Sequence, residues 1–188
     1  VRHITRLYTI DVSDSPGTEI VAIGTSGRFP SRVCVLSEGG ALLRDFWHPG
    51  VTNGLLHIRG TSKVILWGPN TDLPDLSRDV HGAQHYDAVY CVDLTVPSGQ
   101  LPPYRGWGSQ RSFKRAPVWY YALAPKGRSI ERIKFGPNSI IGRVEIEVVT
   151  EKGWTFYITP DGSLRRVMRD TYERPATELL DVLELLKR

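Results

Sequence analysis

The chain is poor in sulfur, with 2 cysteines and 1 methionine in 188 residues. Two cysteines cannot lay down a disulfide framework. Cys34 and Cys91 each sit inside an apolar run, where a thiol behaves as a small hydrophobe, so both are expected as buried free thiols and neither marks a compartment. A mid-strand position is also a poor one for a nucleophile. The lone methionine is Met168 and the chain opens on Val1, which suggests a mature product or a piece of a longer protein. Long apolar runs are missing too. None approaches the ~20 residues that a membrane-spanning helix requires, and the opening "VRHITRLYTI" alternates instead of building a signal-peptide core, so no membrane insertion is expected. Catalytic signatures are absent: there is no Gly-x-Ser-x-Gly elbow, no P-loop and no Gly-rich dinucleotide fingerprint. A large excess of either charge is missing as well, with a net +4 and a pI of about 9.2. So mild an excess does not describe a nucleic-acid binder, and nucleic acid is not the expected partner.

What the chain does have is turns and short β-branched runs. Gly (18) and Pro (13) are frequent, and between them a pattern recurs. "EIVAIGT" (Glu19–Thr25), "KVILWGP" (Lys63–Pro69) and "VEIEVVT" (Val144–Thr150) are buried-strand material. Each is followed by a second strand: "SRVCVLS" (Ser31–Ser37), "DAVYCVDL" (Asp87–Leu94) and "GWTFYIT" (Gly153–Thr159). A turn follows each of these, at Glu38–Gly40, Pro97–Gly99 and Pro160–Gly162. In the last, Pro presets one dihedral and Gly accepts positive φ. A further strand comes next at Ala41–His48 and at Ser163–Asp170. Ahead of each first run lies another strand candidate: "HITRLYTI" (His3–Ile10), "LLHIRG" (Leu55–Gly60) and "SIERIKF" (Ser129–Phe135). The unit is an antiparallel four-stranded meander, present about three times. The middle copy is stretched by insertions at Asn70–Tyr86 and Gln100–Pro117. One meander cannot bury both its faces, so neighbours must stack on it. The tail "RPATELLDVLELLKR" (Arg174–Arg188) carries leucines among charges, with Pro175 and Thr177 placed as at a helix start. It is expected to form a C-terminal helix.

The first copy, from Leu7 to Leu43, resembles the β-propeller blades of the FG-GAP and quinoprotein (PQQ-like) type. Those blades run from an aspartate-rich loop through a Glu-Ile-Val-Val-Gly strand to a leucine-rich strand and a Gly turn. The resemblance holds in part over Lys63–Gly99 and faintly over Val144–Arg169. It implies an all-β fold of antiparallel four-stranded meanders, stacked as a partial β-propeller-like domain over 1–172, with the C-terminal helix over 173–188. Repeated meanders are the material of propellers. With about three copies present, the chain is expected to be part of a larger propeller, to associate into one, or to form an open β structure.

Three stretches hold candidate chemistry. In the resembling blades an acidic loop often holds Ca²⁺, because oxygen ligands at alternate positions wrap a hard cation. Here Asp11, Ser13, Asp14 and Glu19 would be the ligands. Two expected aspartates are serines and Pro16 interrupts the loop, so the plainer expectation is a turn, with no cofactor and Ca²⁺ as the alternative. The second stretch, "DVHGAQHYD" (Asp79–Asp87), holds His81 and His85 in a His-x-x-x-His spacing that suits zinc on a helix face. Gly82 and the following strand argue against a helix. A metal-dependent hydrolase or lyase using His81, His85 and Asp87 is the enzymatic alternative, and a three-His site would have to borrow His48 or His57. The third stretch, "PPYRGWGSQRSFKRAPVWYY" (Pro102–Tyr121), interleaves Arg105, Arg111, Lys114 and Arg115 with Tyr104, Trp107 and Phe113. Long loops in compact domains are often functional. The expectation is a binding or assembly module that meets a protein partner, or a second copy of itself, through Arg105, Trp107, Arg111, Lys114 and Arg115. Carbohydrate binding through Trp107 and Trp119 is a further alternative. A surface insertion whose aromatics fold back on the sheet is the bland one.

Overall fold

The computed structural model describes residues 3–12, 17–25, 31–48, 50–70, 86–95, 99–100, 119–123, 129–137, 144–169, 172–174 and 183–184. Among these residues every regular element is a strand, and the strands form three sheets. The first sheet takes β1 (His3–Ile10), β2 (Glu19–Thr25), β3 (Ser31–Leu36) and β4 (Leu42–His48) in chain order. The middle sheet takes β5 (Gly54–His57), β6 (Lys63–Asn70), β7 (Tyr86–Asp93) and β9 (Trp119–Leu123). The third takes β10 (Ile130–Phe135), β11 (Ile146–Thr150), β12 (Trp154–Ile158) and β13 (Leu164–Arg169). Each is an antiparallel meander, as short hairpin turns allow. Each also gains a short fifth strand beyond its last: β8 (Gly99–Gln100) parallel to β4, β15 (Leu183–Glu184) on β9, and β14 (Tyr172–Arg174) on β13. A fifth strand pairs backbone groups that an edge would otherwise leave open.

Side-chain alternation explains how the sheets stack. Residues directly opposite each other on paired strands share a face, and neighbours along a strand face opposite ways. In the middle sheet, Leu55, Leu66 and Tyr90 form one row, and Leu56, Ile65, Cys91 and Trp119 form the next. The first row faces the first sheet, where it joins Val21, Ile23, Val33, Val35 and Phe46 in one core. The second row faces the third sheet and joins Ile133, Ile146, Val148, Phe156 and Val167. The middle sheet is therefore apolar on both sides, which is why Val64, Ile65 and Leu66 run without a polar break and all three are fully buried. Each fully buried aliphatic or aromatic side chain contributes about 1.5–3 kcal/mol over its exposed state.

The expected C-terminal helix is corrected where that stretch is described. Arg174 ends β14, and Leu183–Glu184 is extended against Leu123 and Ala122 of β9. The middle sheet's outer edge offers a row of backbone partners to an apolar segment, and pairing there competes with helix formation. The remainder of 175–188 lies outside the described residues. No described helix is long and apolar enough to cross a membrane.

Two described glycines with positive φ set close approaches. Gly68 (φ 154°) lies where the link between the first and middle sheets crosses β6, with Val51 N bonded to Pro69 O at 2.9 Å and Asn53 N to Trp67 O at 2.7 Å. A side chain at Gly68 would collide with the Val51 carbonyl. Gly162 (φ 89°) sits under the Trp119 ring, and an added Cβ would lie 2.5 Å from Trp119 Cγ. Gly162→Ala combines the left-handed backbone penalty with that overlap. It is expected to lower stability by about 2 kcal/mol or more, read as the denaturant midpoint at unchanged m-value.

Candidate functional site

The acidic loop closes on a carboxylate. Glu19 is the first residue of β2, stands opposite Ile10 and is 6% exposed. Its Oε2 accepts a hydrogen bond from Val12 N at 3.0 Å. That bond ties the neck of the loop and supplies an acceptor to a buried N–H that would otherwise be costly. Asp11 is exposed beside it. Ser13 and Asp14 lie outside the described residues. In the described part of the loop, Glu19 is thus bound to the backbone at Val12.

His81 and His85 also lie outside the described residues. Asp87, their expected companion, is 5% exposed and serves the fold. Its Oδ2 accepts from Ile130 N at 2.6 Å, joining the middle sheet to the start of the third. His57 is engaged locally, with Nε2 2.8 Å from Thr61 O. Among the described residues, no group of three or more His, Cys, Asp or Glu side chains gathers as a metal site would require.

Arg105, Trp107, Arg111, Lys114 and Arg115 lie outside the described residues, but both roots of their insertion lie within them. The incoming root is β8, which runs beside Phe46 and Trp47 of β4. The outgoing root is Trp119. Its Nε1 donates to Pro160 O at 2.9 Å while its ring covers Gly162. Tyr121 Oη donates to Gly162 O from the same strand. The insertion therefore leaves from the outer edge of the first sheet and returns at the outer edge of the middle one. Trp119 thus joins the middle sheet to the turn of the third, while Trp107, its companion in the carbohydrate alternative, lies outside the described residues.

One polar cluster was not visible as such in the sequence. Ser31 and His48 stand opposite each other on β3 and β4, and both are fully buried. Ser31 Oγ donates to Gly50 O at 2.6 Å and accepts from Thr52 N at 2.8 Å. Gly50 N donates to His48 Nδ1 at 3.3 Å, so the imidazole proton is assigned to Nε2. The ring stacks on Tyr90 at 4.7 Å between centroids, and Tyr90 Oη meets Thr52 Oγ1 at 3.1 Å. Serine and histidine are here without being bonded to each other in a nucleophile–base pair, and no solvent reaches either. The cluster is a latch that holds the link between sheets. Only the spacing His48-Pro-Gly, a strand end at a turn, hinted at it.

Comparison of the chain with protein-family models, with curated proteins and with solved structures finds no match.

The latch gives the fold a pH dependence. Complete burial lowers the His48 pKa to about 3 from an ordinary 6.5. The folded state thus refuses a proton that the unfolded chain accepts, and stability present above pH 6.5 is lost as pH falls toward 3. Moving from pH 7 to pH 5 is expected to cost about 2 kcal/mol through this one group. His48→Gln should flatten that slope in denaturant titrations at the two pH values; an unchanged slope would sink the assignment. Burial likewise pushes the Cys91 thiol up to about 12. Cys91 is accordingly expected to resist iodoacetamide at pH 8 in the native protein and to react once denatured, as peptide mass mapping would register.

Proposed function

We propose that this chain is a non-catalytic binding or assembly module, built on propeller-like β repeats, that meets a protein partner through the insertion at 102–117. Three consecutive four-stranded meanders, stacked face on face with a fifth strand beyond each last strand, support the propeller-like reading. The observation that carries the functional reading is how the insertion is rooted. One end is zipped to β4 by β8, and the other is pinned by Trp119 to Pro160 and Gly162. A scaffold that anchors both ends of a long insertion at its outer edge is suited to presenting it, since ordering already achieved by the scaffold does not count against binding. Arginine and aromatic side chains are the types that dominate protein interfaces, and the insertion interleaves them. Lysine and arginine at Arg105, Arg111, Lys114 and Arg115 favour a partner with an acidic face, through steering and complementarity.

The test is a triple variant, Arg105→Ala/Trp107→Ala/Arg111→Ala, compared with the parent chain as bait after chemical cross-linking. Captured protein should fall by about tenfold or more, equivalent to about 1.4 kcal/mol, while the thermal melt stays where it was. Undiminished capture counts against the insertion as the contact.

A further inference from the structure

The two outermost faces of the three-sheet stack differ in kind. On the third sheet, the face turned away from the core carries Arg132, Lys134, Glu147, Tyr157 and Arg166, as the register of β10 to β13 dictates. It is charged and largely paired within itself, with Arg166 Nε the one buried atom of these side chains that has no hydrogen-bond partner. Lys134 Nζ lies 3.1 Å from Glu147 Oε1, and Tyr157 Oη donates to Glu147 Oε2 at 3.2 Å. Arg166 reaches Glu145 at 3.5 Å and lies 3.9 Å over the Tyr157 ring. This is the surface of a stack that ends: a polar outer face is what keeps a terminal repeat soluble.

The outer face of the first sheet is of the opposite kind. Leu7, Ala22, Cys34 and Asp45 form one row across β1 to β4, and Ile4, Gly24, Arg32 and Trp47 form the next. Ile20, Leu36 and Leu42 continue the same face. None of these residues belongs to either core among the described residues. Ile4 and Leu7 are each 62% exposed and Leu42 is 51% exposed. The only charges in these rows, Arg32 and Asp45, neutralise each other at 2.7 Å.

We infer that the outer face of the first sheet is a docking surface for the same face of a second copy of this chain, related by a twofold axis. Charge decides between the mating arrangements. Face to face, two first sheets bring neutral apolar rows together with no unpaired charge. First sheet to third sheet would desolvate Arg132, Lys134 and Arg166 against leucine and isoleucine, which is costly. Third sheet to third sheet would oppose the same cationic rim. A twofold pairing of the first sheets yields six stacked sheets with a polar cap at each end, and it closes without further growth. Area sets the strength. Four strands of about six residues cover roughly 15 by 20 Å, short of the roughly 800 Å² that each partner gives to a standard stable interface. The dimer is therefore weak, with a Kd of about 10–100 µM. The inference rests on the sheet faces and not on the insertion at 102–117, so either can fail alone.

The measurement is sedimentation equilibrium of the full chain from about 5 to 300 µM, a range set around that Kd, beside the rate of Cys34 alkylation over the same range. Cys34 is half-buried at the centre of the proposed face and is a free thiol, so it reports on the parent protein even if a variant folds poorly. Mass should rise from 21.1 kDa toward twice that value, and Cys34 should react several-fold more slowly at the high end. Ile4→Glu/Leu7→Glu changes side chains exposed in the monomer and should hold the chain at monomer mass with a normal melt. Thr155→Arg, on the outer face of the third sheet, should leave association intact. A parent chain monomeric at every concentration overturns the inference. So does a dimer that survives Ile4→Glu/Leu7→Glu, association abolished by Thr155→Arg, growth beyond the dimer, or a Cys34 rate independent of concentration.

Discussion

The fold depends on a sheet that is apolar on both faces. A β-sheet that meets water on one side alternates polar and apolar residues, whereas the middle sheet here cannot. Tyr90 and its row look toward the first sheet, and Cys91 and its row look toward the third. Each flanking sheet is needed to remove one of those faces from water. Neither flanking sheet has the same need on its far side. One far side is charged and largely paired within itself, and the other is apolar, with Ile4, Leu7 and Leu42 exposed. The three meanders are thus alike in connectivity but unlike in what they ask of their surroundings. That difference, more than the repeat itself, assigns them places in the stack.

The joints between sheets are polar, and they are few among the described residues. Asp87 receives the Ile130 N–H, Trp119 and Tyr121 donate to the Pro160–Gly162 turn, and the latch around His48 fixes the crossing from the first sheet to the middle one. Apolar burial is non-directional and would tolerate sliding of one sheet on another. Directional bonds at the joints select one registration. The described carboxylates of the acidic and histidine-bearing stretches make bonds of the same kind: Glu19 accepts from Val12 N and Asp87 from Ile130 N. A carboxylate held in this way supplies the acceptor that a buried backbone N–H needs.

Most of the strand layout is legible in the sequence, because hairpin strands pair with their chain neighbours and carry their own alternation. Glu19–Thr25 and the Ser31, Ala41 and Gly153 runs fall within a residue or two of the observed strands. Four short elements, β8, β9, β14 and β15, are not legible, and β9 and β15 share one physical reason. Trp119–Leu123 reads in sequence as the end of the aromatic insertion, since the contacts that fix its side chains lie 41 residues away at Pro160 and Gly162. Leu183–Glu184 sits among helically spaced leucines, and only the distant edge of β9 makes it extended. The candidate sites divide in the same way. The bond between Glu19 and Val12 is local, within seven residues of chain. The latch joins Ser31, His48, Thr52 and Tyr90 from separate segments, and no spacing rule connects them.

The order of the outer strands carries a consequence for synthesis. The first sheet's four main strands are complete once His48 has emerged, and the third sheet's once Arg169 has. The middle sheet is different: it begins at Gly54, yet its edge strand is supplied by Leu183–Glu184. A nascent chain would hold the edge of β9 open while the whole third sheet is being made. The sheet at the centre of the molecule is therefore finished after both of its neighbours, by a segment that leaves the ribosome later than either of them.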